Sequence, residues 1–181
     1  MAEFAPAYTA VVARDEGGYV DDPQDRGGET YRGIARRFQP DWPGWRIIDR
    51  ITARAPGDFQ ADAAEVGELD RLVEAFYRER FWARYGLGQL RDQALANKVF
   101  SFLIHSEQGA GFALQRAINA MGGAVSCDGV IGPKTIAAAN ALDPETLRMA
   151  FAVFQGLHYL GQDQAQKARY LKGWLRRCLR V

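Results

Sequence analysis

Glu16, Asp25 and Thr30 lie within one short stretch, EGGYVDDPQDRGGETYRGI over residues 16–34, that is crowded with glycines and acids. Two carboxyls and a hydroxyl at that spacing can surround one scissile glycosidic bond. One carboxyl protonates the leaving oxygen, while a second polar group holds an attacking water or steadies the oxocarbenium-like transition state. Glu16 suits the first role because it closes an apolar, helix-like segment. The C-terminal end of a helix carries partial negative charge, which disfavours a carboxylate and raises its pKa toward the range a general acid needs. Gly17 and Gly18 end that helix and leave space over the acid for a bulky substrate. Taken alone, a Glu beside glycines is more often a solvated helix end. The run Asp21, Asp22, Asp25 and Glu29 also reads as a calcium loop, although it lacks the spacing of an EF-hand.

Helices and one turn must position these groups. Ala7, Val11 and Val12 predict a helix over 5–16. Residues 18–33 hold too much Asp, Gly and Pro for a helix and predict a short irregular β-hairpin. GIARRFQP predicts a helical turn or two stopped by Pro40, and DWPGWRIIDRITARAPGD a loop with a short helix. Leu69, Leu72, Val73 and Phe76 make one apolar face of a helix over 68–84. DQALANKVFSFLIHSE is apolar nearly all round, as a central buried helix near 93–107 requires. Gly109 and Gly111 flank the start of the next helix, FALQRAINAM, and GGAVSCDGVIGP is a glycine-punctuated turn. Pro133 suits the first position of a helix over 133–142, Asp143-Pro144 begins another, and a last helix covers 166–180. The expected fold is mainly α, with two lobes around the central helix and a small β-hairpin near the N-terminus. Linkers are too few for two independent folds.

Bulk properties narrow the function. A net charge of +1 argues against a nucleic-acid partner. No run approaches 18 apolar residues, so no integral membrane segment is expected. The N-terminus has no basic region before its short apolar stretch and reads as mature protein rather than a signal peptide. Two His and two Cys without a CxxC spacing offer no convincing ligand cluster, so neither a metal nor an organic cofactor is expected. Cys127 and Cys178 read as free buried thiols, with a disulfide as the alternative.

The stretch from Glu16 resembles the signature of glycoside hydrolase family 108, lysozyme-like N-acetylmuramidases of phage endolysins, prophages and secretion-associated proteins. The pattern E-G-G-Y-x-x-D-P-x-D-x-G-G-x-T-x-x-G-I is met at Glu16, Gly17, Gly18, Tyr19, Asp22, Pro23, Asp25, Gly27, Gly28, Thr30, Gly33 and Ile34. The resemblance implies a lysozyme-like fold, Glu16 as the catalytic acid, and Asp25 and Thr30 as its partners. It implies a muramidase acting on peptidoglycan glycan strands, with a catalytic region over 5–90 and a helical, predicted peptidoglycan-binding region over 91–181 packed on it. The second region's resemblance rests on Leu114-Gln115, Asp128-Gly129, Ile131-Gly132-Pro133 and Thr135, and on the closing GWLRR. One departure is the central FSFLIHSEQG, where Ser101 and Ser106 stand in place of the family's Asp and Asn. A bacteriolytic, antimicrobial role of this kind, for a monomer made in the cytoplasm without a signal peptide, needs a holin or a secretion system to reach the wall.

Other features keep two readings. D-G-x-I-G-P is either structural support or a sugar or peptide site. His105 and His158 read as core or groove residues rather than catalysts. Tyr19, Tyr31, Trp42, Trp45, Trp82 and Tyr85 can offer stacking faces, and Tyr19, Tyr31 and Gly28 lie nearest the motif as substrate-binding candidates. Arg169, Lys172, Arg176 and Arg180 make a charged face on the last helix, either solvated or drawn to an anionic envelope. The alternatives to hydrolysis are a lytic transglycosylase and a non-catalytic peptidoglycan-binding module.

Overall fold

The computed structural model describes residues 1–12, 18–22, 27–55 and 58–179. Eight α-helices occur among them: α1 Phe4–Val11, α2 Gly44–Arg54, α3 Ala63–Tyr77, α4 Gln93–His105, α5 Glu107–Ala120, α6 Pro133–Asn140, α7 Pro144–Leu160 and α8 Gln164–Leu179. Three two-residue strands, β1 Tyr19–Val20, β2 Thr30–Tyr31 and β3 Ile34–Ala35, form an antiparallel sheet in the order β1-β2-β3. The chain divides into two compact units, Val12–Glu79 and Met1–Val11 with Arg80–Val181.

In the first unit, α3 starts where its chemistry dictates. The Asp62 side chain accepts from the backbone N–H groups of Ala64 and Glu65, and Glu65 reaches back to the Asp62 N–H. This reciprocal cap satisfies donors that the first helical turn leaves open. Leu69, Val73 and Tyr77 of α3 are buried, as are Ile47, Ile48 and Ile51 of the neighbouring α2. Beyond Tyr77 the helical path continues as a π-helical segment, Arg78–Ala83.

The sheet differs from the expected hairpin by a third strand. Ile34-Ala35 is β3, followed by turns, where a helical turn was expected. Arg32 (φ 43) and Gly33 (φ 80) both take left-handed conformations, the geometry that closes a two-residue hairpin loop and sends the chain back along β2. Gly33 is doubly constrained, because a Cβ there would stand 2.7 Å from the Tyr77 hydroxyl. That hydroxyl donates to the Arg32 carbonyl at 2.9 Å and fastens the turn.

In the second unit, α4 is the buried helix expected near 93–107. Leu95, Val99, Phe100, Phe102 and Leu103 are each no more than 2% exposed. Around it pack α1, α5 and α7, with α8 on α7. Phe4 meets Trp82 and Phe100 edge-on at 5.7 and 6.0 Å, and the Ala2 N–H donates to the Leu90 carbonyl, so the first residues belong to this unit. Buried Lys98 donates to the Cys178 carbonyl, placing a cation at the negative end of α8. Burial pulls the Lys98 ammonium below its ordinary pKa.

Helix α5 begins at Glu107, earlier than expected, so Gly109 and Gly111 lie inside it. The Ser106 hydroxyl caps it by accepting from the Gly109 N–H at 3.2 Å. Gly111 owes its place to a neighbour rather than to a helix boundary: a Cβ would come within 1.8 Å of the Gly129 carbonyl oxygen. Both cysteines are free, but only Cys178 is buried; Cys127 is exposed because it sits in the loop before the Asp128 turn. Among the described residues no helix is long and apolar enough to cross a membrane.

Candidate active site

The sequence motif divides between described and undescribed residues. Glu16 and Asp25 lie outside the described residues, as does the part of the expected 5–16 helix from residue 13 on. Helix α1 ends at Val11, with Val12 in a turn. The sheet brings together the other candidates, Tyr19, Gly28, Thr30 and Tyr31.

Register sorts them onto two faces. Tyr19 pairs with Tyr31, and Val20 with Thr30, so the two tyrosines share one face and Thr30 takes the other beside Val20 and Ala35. On the tyrosine face, Phe59 lies 4.7 Å from the Tyr19 ring, stacked, and 5.8 Å from the Tyr31 ring. Tyr31 also lies 6.1 Å from Trp42 and is only 4% exposed. Its ring therefore supports the sheet from within and has no free face for a sugar. Tyr19 remains half-buried.

On the opposite face, the Thr30 hydroxyl donates to the Gly28 carbonyl at 3.0 Å. Its one proton is thereby committed, and its lone pairs remain to accept from a water. A Cβ at Gly27 would press on Ala35 Cβ at 3.1 Å and Thr30 Oγ1 at 3.3 Å, so this glycine lets the hydroxyl sit close to the backbone. Gly28 has φ +61, and among the described residues nothing lies within 4 Å of the position a Cβ would take.

Glu29, between Gly28 and Thr30, is held from two sides. The Tyr19 hydroxyl donates to it at 2.9 Å, and the Arg36 guanidinium pairs with it. Arg36 also binds Asp49 and lies 4.6 Å from the Trp45 ring. Burial, reinforced by the bond to the Glu29 carboxylate, pushes the Tyr19 phenol up to about 12, so it remains a protonated donor. This network joins β1, the turn before β2, and α2. Sequence reasoning missed Arg36 and Phe59 and read Glu29 as part of an acidic loop; no periodic or motif signal marks any of the three. Asp21 and Asp22 are exposed.

The remaining aromatics are mostly structural. Trp42, Trp45 and Trp82 are no more than 7% exposed, and the Tyr85 hydroxyl donates to Glu107, which also pairs with Arg80. His105 stands in the last turn of α4, exposed as a residue, and half-buried His158 lies edge-on to Phe102 at 5.2 Å.

The D-G-V-I-G-P turn is tied to α5 by Gln115, which is 1% exposed. Its amide donates to Asp128 Oδ1 at 2.6 Å and to the Val130 carbonyl at 2.9 Å, and its carbonyl accepts from the Gly129 N–H at 2.8 Å. Asp128 also accepts from the Val130 N–H at 2.9 Å. The Val130 N–H and the Gln115 amide hold the Asp128 carboxyl below its usual pKa. The motif's polar groups bind one another.

Residues 9–106 match the family described as Glycosyl hydrolase 108, and residues 110–179 match the Predicted Peptidoglycan domain. Among solved structures, the chain is similar to that titled "Structure of Brucella abortus SagA". The two are 29% identical with a TM-score of 0.67, over 97% of this chain and 89% of that one. No curated protein matches.

Proposed function

Because the chain belongs to the glycosyl hydrolase 108 family and is a peptidoglycan hydrolase, we propose that it is an N-acetylmuramidase. It cuts the β-1,4 bond between N-acetylmuramic acid and N-acetylglucosamine. The observation that carries this reading is the intact motif from Glu16 to Ile34 inside the family-matched segment. Catalysis belongs to residues 5–90.

In this reading the Glu16 carboxyl donates its proton to the glycosidic oxygen as the bond to the anomeric carbon breaks. A water adds to that carbon, and Asp25 takes the water's proton or balances the charge that develops. The Thr30 hydroxyl oxygen, its own proton committed to Gly28, accepts from that water and orients it. The turn at Gly28 gives the glycan room to approach among the described residues, and Tyr19, on the opposite face of the sheet from Thr30, supports that turn by holding Glu29 through its hydroxyl.

The test is mass spectrometry of products from purified peptidoglycan. Muramidase action leaves reducing-end N-acetylmuramic acid. Products ending in 1,6-anhydro sugars would instead assign lytic transglycosylase chemistry, and no cleavage would assign a binding module.

A further inference from the structure

Helix α8 concentrates positive charge. Its sixteen residues include Lys167, Arg169, Lys172, Arg176 and Arg177 and no acid. The whole chain has a net charge of only +1, so the remainder is net negative. Among the described residues, Arg169, Lys172 and Arg176 form no ion pair, and all three side chains belong to exposed residues. They fall on one helix face, at spacings of three and four.

Large apolar groups stand beside these cations. Leu179 is 83% exposed, Tyr170 42% and Leu175 37%. Leu175 and Leu179 make a row parallel to that of Lys172 and Arg176, because each pair is separated by one helical turn. Cys178 is the one buried residue of α8. The helix is held to α7 by Trp174 stacked at 5.2 Å on Tyr159, and α7 itself leaves Leu157 and Leu160 half exposed. A merely solvated helix needs the charges but not the leucines. A polyanionic polymer would use the charges and gain nothing from the leucines. A lipid surface uses both: its headgroups pair with the cations while its acyl boundary takes up the aliphatic groups.

We propose that α8 is a docking helix for an anionic phospholipid surface, holding the hydrolase at a membrane beside its wall substrate. The full chain is tested by co-sedimentation at low salt with vesicles of phosphatidylcholine, alone and mixed with phosphatidylglycerol. The expected result is pelleting with the mixed vesicles only, suppressed by added salt. Joint Arg169→Glu, Lys172→Glu and Arg176→Glu substitution should weaken that binding by about 100-fold or more, since each cation near an anionic surface contributes attraction. Joint Leu175→Ser and Leu179→Ser should weaken it as well. Both sets change exposed residues, so the melting temperature and cleavage of soluble glycan fragments should stay at the wild-type value. Equal pelleting with both vesicle types, or with neither, overturns the proposal. So does retention on purified peptidoglycan alone that is lost on charge reversal, because α8 would then be a wall-binding element.

Discussion

Replacing Gln115 by Leu tests whether the Asp128 turn is scaffold or binding site. Leucine nearly conserves volume, so the cavity contribution is small and the loss is polar. Three hydrogen bonds vanish, at 2.6, 2.9 and 2.8 Å, from a side chain that is 1% exposed. The Val130 carbonyl retains only the long 3.5 Å contact with the Thr135 hydroxyl. The Gly129 N–H loses its partner in a place too tight for rearrangement, with the Gly129 carbonyl pressed against Gly111. Each net bond contributes roughly 1 kcal/mol and a stranded buried group costs about 1–3 kcal/mol, so the substitution should destabilise by about 3–5 kcal/mol. For a chain of this size that lowers the melting temperature by roughly 6–20 °C. Calorimetry reads the shift, and pelleting with peptidoglycan below the transition reads binding. Retention on the wall should survive in the folded fraction. A melting temperature within about 2 °C of wild type, with wall retention lost, would refute the scaffold reasoning and make the turn a ligand site.

Gly33→Ala should cost about 2–3 kcal/mol in urea unfolding, from left-handed strain at φ 80 and displacement of the Tyr77 hydroxyl; Tyr77→Phe alone should cost about 1 kcal/mol. Tyr19 should be seen in an ultraviolet titration as a phenol ionising near pH 12, absent in Tyr19→Phe. Its folded pKa lies above the ordinary 10.0, so the stabilisation it gives is complete below pH 10 and fades as pH rises through 12; a Tyr19→Phe protein with the same stability profile across that window would contradict this. Thr30→Ala should leave the melting temperature nearly unchanged, because among the described residues its hydroxyl bonds only the local Gly28 carbonyl, yet should slow cleavage by less than the roughly 10²–10⁴-fold expected for loss of the general acid.

Helices with long apolar faces were legible in the sequence: α3 from Leu69 and Val73, α4 from its uniformly apolar run, and α7 from Asp143-Pro144, whose aspartate does cap the helix through Thr146. The third strand was not, because two residues carry no periodicity and its turn uses a left-handed arginine. The start of α5 was misplaced because glycine was read as punctuation. Gly111 answers instead to a carbonyl from residue 129, a tertiary demand that no local pattern reveals. At the site, Thr30 was expected among the catalytic groups and Tyr31 among the substrate-binding ones. Period-two alternation puts such neighbours on opposite faces of a strand. Tyr31 went inward with Trp42 and Phe59, and Thr30 took the other face. The Glu29–Arg36–Asp49 clamp was illegible because it joins three separate segments through side chains alone.

Cleavage of purified peptidoglycan by Glu16→Gln, beside the wild type, tests the central claim most directly. The amide keeps the size of the carboxyl but has no acidic proton to give the leaving oxygen. The account predicts an unchanged melting temperature and a fall in reducing-end release of roughly 10²–10⁴-fold. A folded Glu16→Gln protein that releases reducing ends at close to the wild-type rate would contradict it.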